Sequence, residues 1–324
     1  MNTPGPLGWI EPKDRTPAVW AAHARATAMM ARFADSALPL PTGPVRVLLT
    51  EAFKARQVVA DVGLTFQRFR QLTGSCVGAG GGSALFTLIA VQRLLATHPT
   101  KAFIPWWPFD YGRSRFRLGD TRPGEGSLGS MFAEAVTKDG VMSAAEPGLP
   151  TFDSADGLAI TERQEMEWSD GDSPSVMKWL DTAKQHPLGT AAEMSRPLDM
   201  KAAVINGYPG TFACDRFIGN ARVQGSGANA RVVGKWDGNG GHQQWFAGYE
   251  DNPELGPLYA IGNNWARETY PMDPGGLPPC CCWVKEADVA AAFRYHAEVY
   301  AFSHLSWFPA QPEMVSWADI LPRA

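Results

Sequence analysis

Apolar positions along the chain change their period about two thirds of the way through. In the first part they recur every three or four residues, the spacing of one helix face. Val19, Trp20, Ala26, Met30 and Phe33 predict a helix over about 18–34. Leu85, Phe86, Leu88, Ile89, Val91, Leu94 and Leu95 predict a long buried helix that opens at Cys76. Leu128, Met131, Phe132, Ala135 and Val136 predict another, closed by Gly140, and a shorter one falls around 176–183. From about Ala202 onward the pattern shortens into β-prone runs divided by Gly and Asn: 204–205, 212–214, 231–233, 244–249, 258–262 and 280–284. Such spacing predicts an antiparallel sheet or small barrel, with a last helix over 286–296. The fold class expected is therefore α+β, a helical half followed by a β half.

Between these elements Pro39-Leu-Pro-Thr-Gly-Pro44 reads as a turn cluster. Phe103-Ile-Pro-Trp-Trp-Pro-Phe109 holds too much proline for a helix or central strand, which predicts an ordered loop packed by its aromatics. Residues 150–190 read as a polar surface excursion, with Glu162 to Asp172 as its solvated acidic face.

Composition narrows the function classes. Of 324 residues, 45% are hydrophobic and 19% charged, which is globular rather than disordered. The net charge of −4, with no basic block, gives no footprint for nucleic acid. No apolar run approaches the ~18–20 residues that span a bilayer, so no membrane partner is expected. Met1-Asn-Thr-Pro-Gly-Pro6 lacks the charged and apolar regions of a secretory signal, so a cytoplasmic location is expected. The cysteines are Cys76, Cys214, Cys280, Cys281 and Cys282; an odd number with three consecutive is no disulfide framework and fits a reducing compartment. Consecutive cysteines suit a metal ion poorly, and packing in an apolar strand is the reading for 280–282. No cofactor and no metal are expected.

The candidate chemistry lies in Gln71-Leu-Thr-Gly-Ser-Cys76, followed by a glycine-rich run. A cysteine at a helix N-terminus faces free N–H groups and the positive end of the dipole, which favour thiolate. Downstream, Gly241-His242 opens an apolar run ending in Gly248-Tyr249, and Asn263-Asn264-Trp265 closes the next. Cys, then His, then Asn is the order of an activated thiol, in which the imidazole takes the thiol proton and an amide oxygen orients the ring.

These residues make the sequence resemble the papain-like cysteine peptidases, over roughly residues 65–300. Asn206-Gly207-Tyr208-Pro209 adds to the likeness, and Tyr270 to Pro274 with Trp283-Val284 resembles the end of bacterial and phage members. The resemblance implies a two-lobed fold with a central helix carrying the cysteine and a β lobe carrying histidine and asparagine. It implies Cys76 as nucleophile, His242 as base and then acid, Asn263 as the orienting group and Trp265 as its shield from water. Gln71 would serve the oxyanion hole and Gly126 and Ser127 the substrate backbone. The interval from Gln71 to Cys76 is one residue shorter than is usual in the family, Val77 stands where Trp is usual, and Ala266 where Gly is usual.

The domain organisation expected is an N-terminal extension over 1–65, a peptidase domain over 66–300 with lobes dividing near 195/196, and an aromatic tail over 301–324. The function expected is hydrolysis of peptide bonds in a peptide or protein substrate. Two alternatives stand beside it. One is a papain-fold structural or interaction module, such as a phage virion component, assembling through the terminal extensions. The other keeps the chemistry but acts on cell-wall peptide cross-links.

Overall fold

The computed structural model describes residues 8–36, 38–95, 101–120, 123–153, 158–265, 270–294, 296–305 and 308. Its helices are α1 (Pro17–Met29), α2 (Arg56–Val62), α3 (Cys76–Leu94), α4 (Trp107–Leu118), α5 (Gly129–Lys138), α6 (Glu162–Trp168), α7 (Pro174–Met177), α8 (Leu180–Ala183), α9 (Pro197–Ile205) and α10 (Glu286–Ala292). Its strands are β1 (Ala31–Arg32), β2 (Arg46–Leu48), β3 (Thr190–Glu193), β4 (Gly210–Phe217), β5 (Asn220–Gln224), β6 (Arg231–Lys235), β7 (Gly238–Asn252), β8 (Gly256–Gly262), β9 (Cys281–Lys285) and β10 (Glu298–Ser303). Among the described residues no helix is long and apolar enough to cross a membrane.

α3 is the axis of the molecule. Every residue of it but Arg93 is buried, with α4 on one side and β7 on another. The glycine run is what lets neighbours come so close. A Cβ at Gly81 would lie 2.2 Å from Cζ of Phe132 on α5, and one at Gly78 would lie 2.5 Å from Cβ of Tyr111 on α4. Each helix-interior glycine costs about 1 kcal/mol relative to alanine, and here the space released is filled by aromatic rings.

The strands form one ten-stranded sheet in the order β1-β3-β10-β4-β7-β8-β9-β6-β5, with β2 added beside β7. Most pairings are antiparallel; β1 with β3 and β6 with β9 are parallel. In the β4–β7 pair Cys214 lies opposite His242, and in the β7–β8 pair Trp245 lies opposite Gly262. That register brings the start of β7 beside the end of β8, where Asn263 follows.

Several expectations are corrected. The proline-rich 103–109 segment is not all loop: α4 starts at Trp107, because Pro108 falls in the first turn, where no N–H is required. Val204 and Ile205 end a helix, not a strand; Pro197 starts α9 and Asp199 accepts from Ser195 N at 3.1 Å. The acidic face of 162–172 contains Glu165, which is 1% exposed. Strands β3, β5 and β10 fall outside the predicted runs. Within the N-terminal extension, β1 and β2 join the sheet and α1 packs on α5. Of the aromatic tail, Phe302 lies in β10 and Phe308 packs edge-on against Phe33 and Tyr208. Trp307, Trp317 and Ala266 lie outside the described residues.

Candidate active site

Cys76 is the first residue of α3, preceded by Ser75 at the N-cap. The Ser75 hydroxyl does not cap the helix. It donates to Glu165 Oε2 at 2.7 Å, and the same carboxylate accepts from Leu72 N at 2.8 Å, Thr73 N at 3.0 Å and Thr73 Oγ1 at 2.6 Å. Four donors from the 72–75 loop thus converge on one carboxylate of α6, fixing the turn that delivers the cysteine. Burial holds the Glu165 carboxyl above its ordinary range, opposed by these hydrogen bonds. Gln71 is buried, and its side-chain N–H donates to Thr73 O at 3.1 Å while its backbone N–H donates to Asn264 O at 2.9 Å.

His242 stands in β7, 1% exposed. Nε2 lies 3.0 Å from Asn263 Oδ1, and this oxygen also accepts from Asn264 N at 2.8 Å. An amide oxygen held in this way fixes Nε2 as the protonated nitrogen and leaves Nδ1 as the base. Among the described residues Nδ1 has no hydrogen-bond partner. The ring of Trp265 stacks on the imidazole, centroids 4.4 Å apart and planes 27° apart, covering the His–Asn bond. The next residue joins β7 to α3: Gln243 N donates to Cys76 Sγ at 3.3 Å and Gln243 Nε2 to Val77 O at 2.9 Å. The structure therefore brings Cys76, His242, Asn263 and Trp265 together, with Gln71 in the loop just before the cysteine.

Ser127 is occupied by the chain's own N-terminal residues, whereas Gly126 N donates to Gly74 O at 3.1 Å and Gly126 O accepts from Arg115. Ser127 N donates to Gly8 O at 2.9 Å and Ile10 N to Ser127 O at 3.0 Å, a parallel bridge that lays residues 8–10 along the site. The backbone N–H groups of Gly8 and Trp9 point at Cys76 Sγ. Glu11 Oε1 accepts from Gly241 N at 2.8 Å, beside His242. Residues 8–11 thus form a strap from Ser127 to the start of β7, across the sulfur.

Burial reverses the electrostatics expected from the helix terminus. Cys76 is 0% exposed, and burial pushes its thiol up to about 11 against the pull of the N–H groups around it. Burial likewise pushes the His242 imidazole down to about 4, opposed by its bond to Asn263. Both groups are neutral at pH 7 with the strap in place. Desolvation outweighs the dipole because an unpaired charge is disfavoured in a site sealed from water.

Two residues that sequence reading passed over hold the site together. Glu165 anchors the cysteine loop. Asn264 sends its side-chain N–H groups to Phe69 O, Ala79 O and Ser83 Oγ at 2.8–2.9 Å, tying the end of β8 to α3. The capping pair of Thr161 and Gln164 was the sequence signal that a helix, and so a fixed Glu165, follows.

No family model and no curated protein matches the chain. Solved structures do. Xylellain, a cysteine protease from Xylella fastidiosa, superposes over 94% of this chain and 98% of its own, at 17% identity and a TM-score of 0.50. A structure bearing on antibody cross-reactivity between the mite allergens Blo t 1 and Der p 1 covers 90% of this chain and 83% of its own, at 13% identity and a TM-score of 0.51. The fold is papain-like. At these identities the likeness is one of fold, and what the residues do is argued from their own chemistry.

Proposed function

We propose that the chain is a cysteine peptidase that its own residues 8–11 hold closed. The observation that carries the reading is the fixed imidazole: Nε2 locked on Asn263 Oδ1 under the Trp265 ring, with Nδ1 unpartnered in a site whose next residue bonds to Cys76 Sγ. A buried histidine with one nitrogen oriented and the other left free is a costly arrangement for packing alone.

With the strap displaced, water and substrate reach the sulfur, and the N-terminus of α3 then favours thiolate. The Sγ–H proton passes to His242 Nδ1 and the sulfur attacks the amide carbon. The carbonyl oxygen becomes an oxyanion facing Cys76 N and Gln71. His242 returns the proton to the leaving nitrogen as the C–N bond breaks, leaving a thioester. Water, deprotonated by His242, then attacks the acyl carbon, and the sulfur leaves as thiolate to regain the proton. Asn263 keeps the same ring nitrogen toward sulfur through both halves. Ser127, whose N–H and C=O now hold the strap, would hold a substrate backbone instead.

The complete cover over Cys76 also fits a papain-fold module in which the thiol is never used. Alkylation of Cys76 against pH, read by mass spectrometry, separates the two. In a strap-opened variant, labelling that persists below pH 7 and slows with His242→Ala is expected of the peptidase. Labelling that rises only near the free-thiol pKa of ~8.5, with or without His242, leaves the module.

A further inference from the structure

Arg115 stands in the last turn of α4 with its side chain buried, beneath the ledge of residues 124–127 on which the strap lies. Nη1 donates to Glu125 O at 2.6 Å and to Gly126 O at 2.8 Å. Nε donates to Ser169 O at 3.1 Å, at the C-cap of α6, and Nη2 to Asp120 Oδ2 at 2.7 Å. Gly124 leaves the guanidinium its room, since a Cβ there would lie 2.7 Å from Nη2. The neighbouring Ser114 donates to Ser127 Oγ at 2.9 Å. No disulfide shares this task, the five cysteines being free.

A trans peptide unit points its C=O and its N–H in opposite directions. A guanidinium that grips the carbonyls of Glu125 and Gly126 from one side therefore turns the next two N–H groups to the other. The first, Gly126 N, donates to Gly74 O at 3.1 Å, in the loop that delivers Cys76. The second, Ser127 N, donates to Gly8 O of the strap at 2.9 Å. Gly126, at a φ of +87°, permits the turn between them. A cation on the carbonyl side also polarises each peptide unit and strengthens its N–H as a donor. Ser169 ends the helix that carries Glu165, so the same side chain ties the ledge to the anchor of the cysteine loop.

We infer that Arg115 is a positioning residue for substrate: it aims the Ser127 N–H at a backbone carbonyl of the bound peptide and sets where that N–H stands relative to Cys76. Its donors go to the ledge, α6 and Asp120, so its loss weakens binding and leaves the reactivity of the thiol in place. The word substrate rests on the peptidase reading; the hold on the strap does not.

The test places Arg115→Met and Arg115→Lys in two full-length chains, one with the native strap and one with Gly8→Val to lift it. In the lifted chain, Arg115→Met should raise KM for a fluorogenic peptide amide about ten-fold, the weight of one good hydrogen bond to the peptide backbone, with kcat within about two-fold. Arg115→Lys keeps the charge but lacks the fork, and its KM should fall between. Labelling of Cys76 by iodoacetamide should stay within about two-fold in the lifted chain and rise about five-fold under the native strap, whose Gly8 O loses an aligned donor. Circular dichroism checks the fold; should the Met variant unfold, the Lys variant carries both readouts. A lowered kcat at unchanged KM, slower labelling in the lifted chain, or no change in either chain would overturn the inference. If the Gly8→Val chain hydrolyses nothing while labelling still rises under the native strap, the aim of the Ser127 N–H stands and the peptidase reading fails.

Discussion

Two buried glutamates, one behind the loop that carries Cys76 and one beneath Trp9 of the strap, are satisfied in opposite ways. Glu165 is met by neutral donors of the 72–75 loop, all within the folded body. Glu298 is met by a guanidinium and an indole from the N-terminal segment, with one N–H from α5. The first arrangement is local, and it fixes the turn before α3. The second is long-range: it ties the segment from Trp9 to Arg15 onto β10 and α5. A buried carboxylate served by one loop shapes that loop, whereas one served from distant parts of the chain holds those parts together.

The largest effect that would break this comparison is at Glu165. Replacing it by alanine strands four loop donors, and at 1–3 kcal/mol for a buried unsatisfied group a loss of about 3 kcal/mol is expected in urea unfolding. The loop also sets the position of Cys76, and a displacement of about 1 Å costs ~100-fold in rate. Hydrolysis of a fluorogenic peptide amide by the strap-opened chain should fall by that order. Glu165→Gln should sit between, since it keeps one acceptor oxygen and puts an N–H against donors. An alanine variant with unchanged stability and unchanged rate would make Glu165 a bystander.

How much of this was legible in the sequence depends on whether a residue acts through its neighbours in the chain or across the fold. The opening of α3 at Cys76, the helix over Gly129–Lys138 and most of the β runs follow from local period and glycine punctuation, and they stand in the structure. His242, Asn263 and Trp265 were found because each closes or opens a recognisable run. Glu165 was misread as surface because its partners lie some 90 positions away, and nothing local tells a buried glutamate from a solvated one. Glu298 was passed over for the same reason, its partners lying 168 and 289 positions away. The strap was invisible for a third reason: an extended segment that pairs through two backbone hydrogen bonds needs no side-chain pattern.

Acid and base sharpen the comparison next, because both members of the Cys–His pair are buried. His242 titrates near 4 folded against an ordinary 6.5, so the unfolded chain binds the extra proton between those values. Stability is therefore full above about pH 6.5 and is lost as pH falls toward 4, by an amount on the order of 3 kcal/mol. Cys76 gives the mirror image: its folded value near 11 against 9.0 keeps a proton that the unfolded chain releases, so stability declines as pH rises through that window. Urea midpoints across pH 4–7 should flatten in His242→Gln. An unchanged slope would mean that the imidazole is not held neutral by burial.

Opening the strap without replacing either glutamate comes third. A Cβ at position 8 would lie 1.6 Å from Gly74 O, a backbone atom that has no room to yield. Gly8→Val must therefore lift residues 8–10 away from Ser127. Labelling of Cys76 by iodoacetamide at pH 7 should rise by about ten-fold or more, the equivalent of ~1.4 kcal/mol, and both pH slopes should shrink as water reaches the pair. The thermal midpoint should fall, because the buried Trp9 leaves its place on Glu298 and the clash falls on Gly74 of the 72–75 loop. Labelling as slow as in the parent chain would show that something other than the strap seals the thiol.

The smallest effect asks whether the strap is held by charge alone. Arg15→Lys keeps the cation on Glu298 but removes the Nε bond to Ile10 O and the flat face between Trp9 and Trp20. One hydrogen bond at ~1 kcal/mol and a weaker stacking contribution of ~0.5–1 kcal/mol are at stake. Part of this returns, because an ammonium also interacts with indole and the carboxylate keeps its ion pair. A net weakening of about 1 kcal/mol, or roughly five-fold faster labelling of Cys76, is the expected outcome, smaller than that of Gly8→Val. If lysine serves as well as arginine, the charge on Glu298 is all that the strap needs from residue 15. If the five-fold difference is found, the Nε bond to Ile10 O and the flat face against the two indoles hold the strap as well.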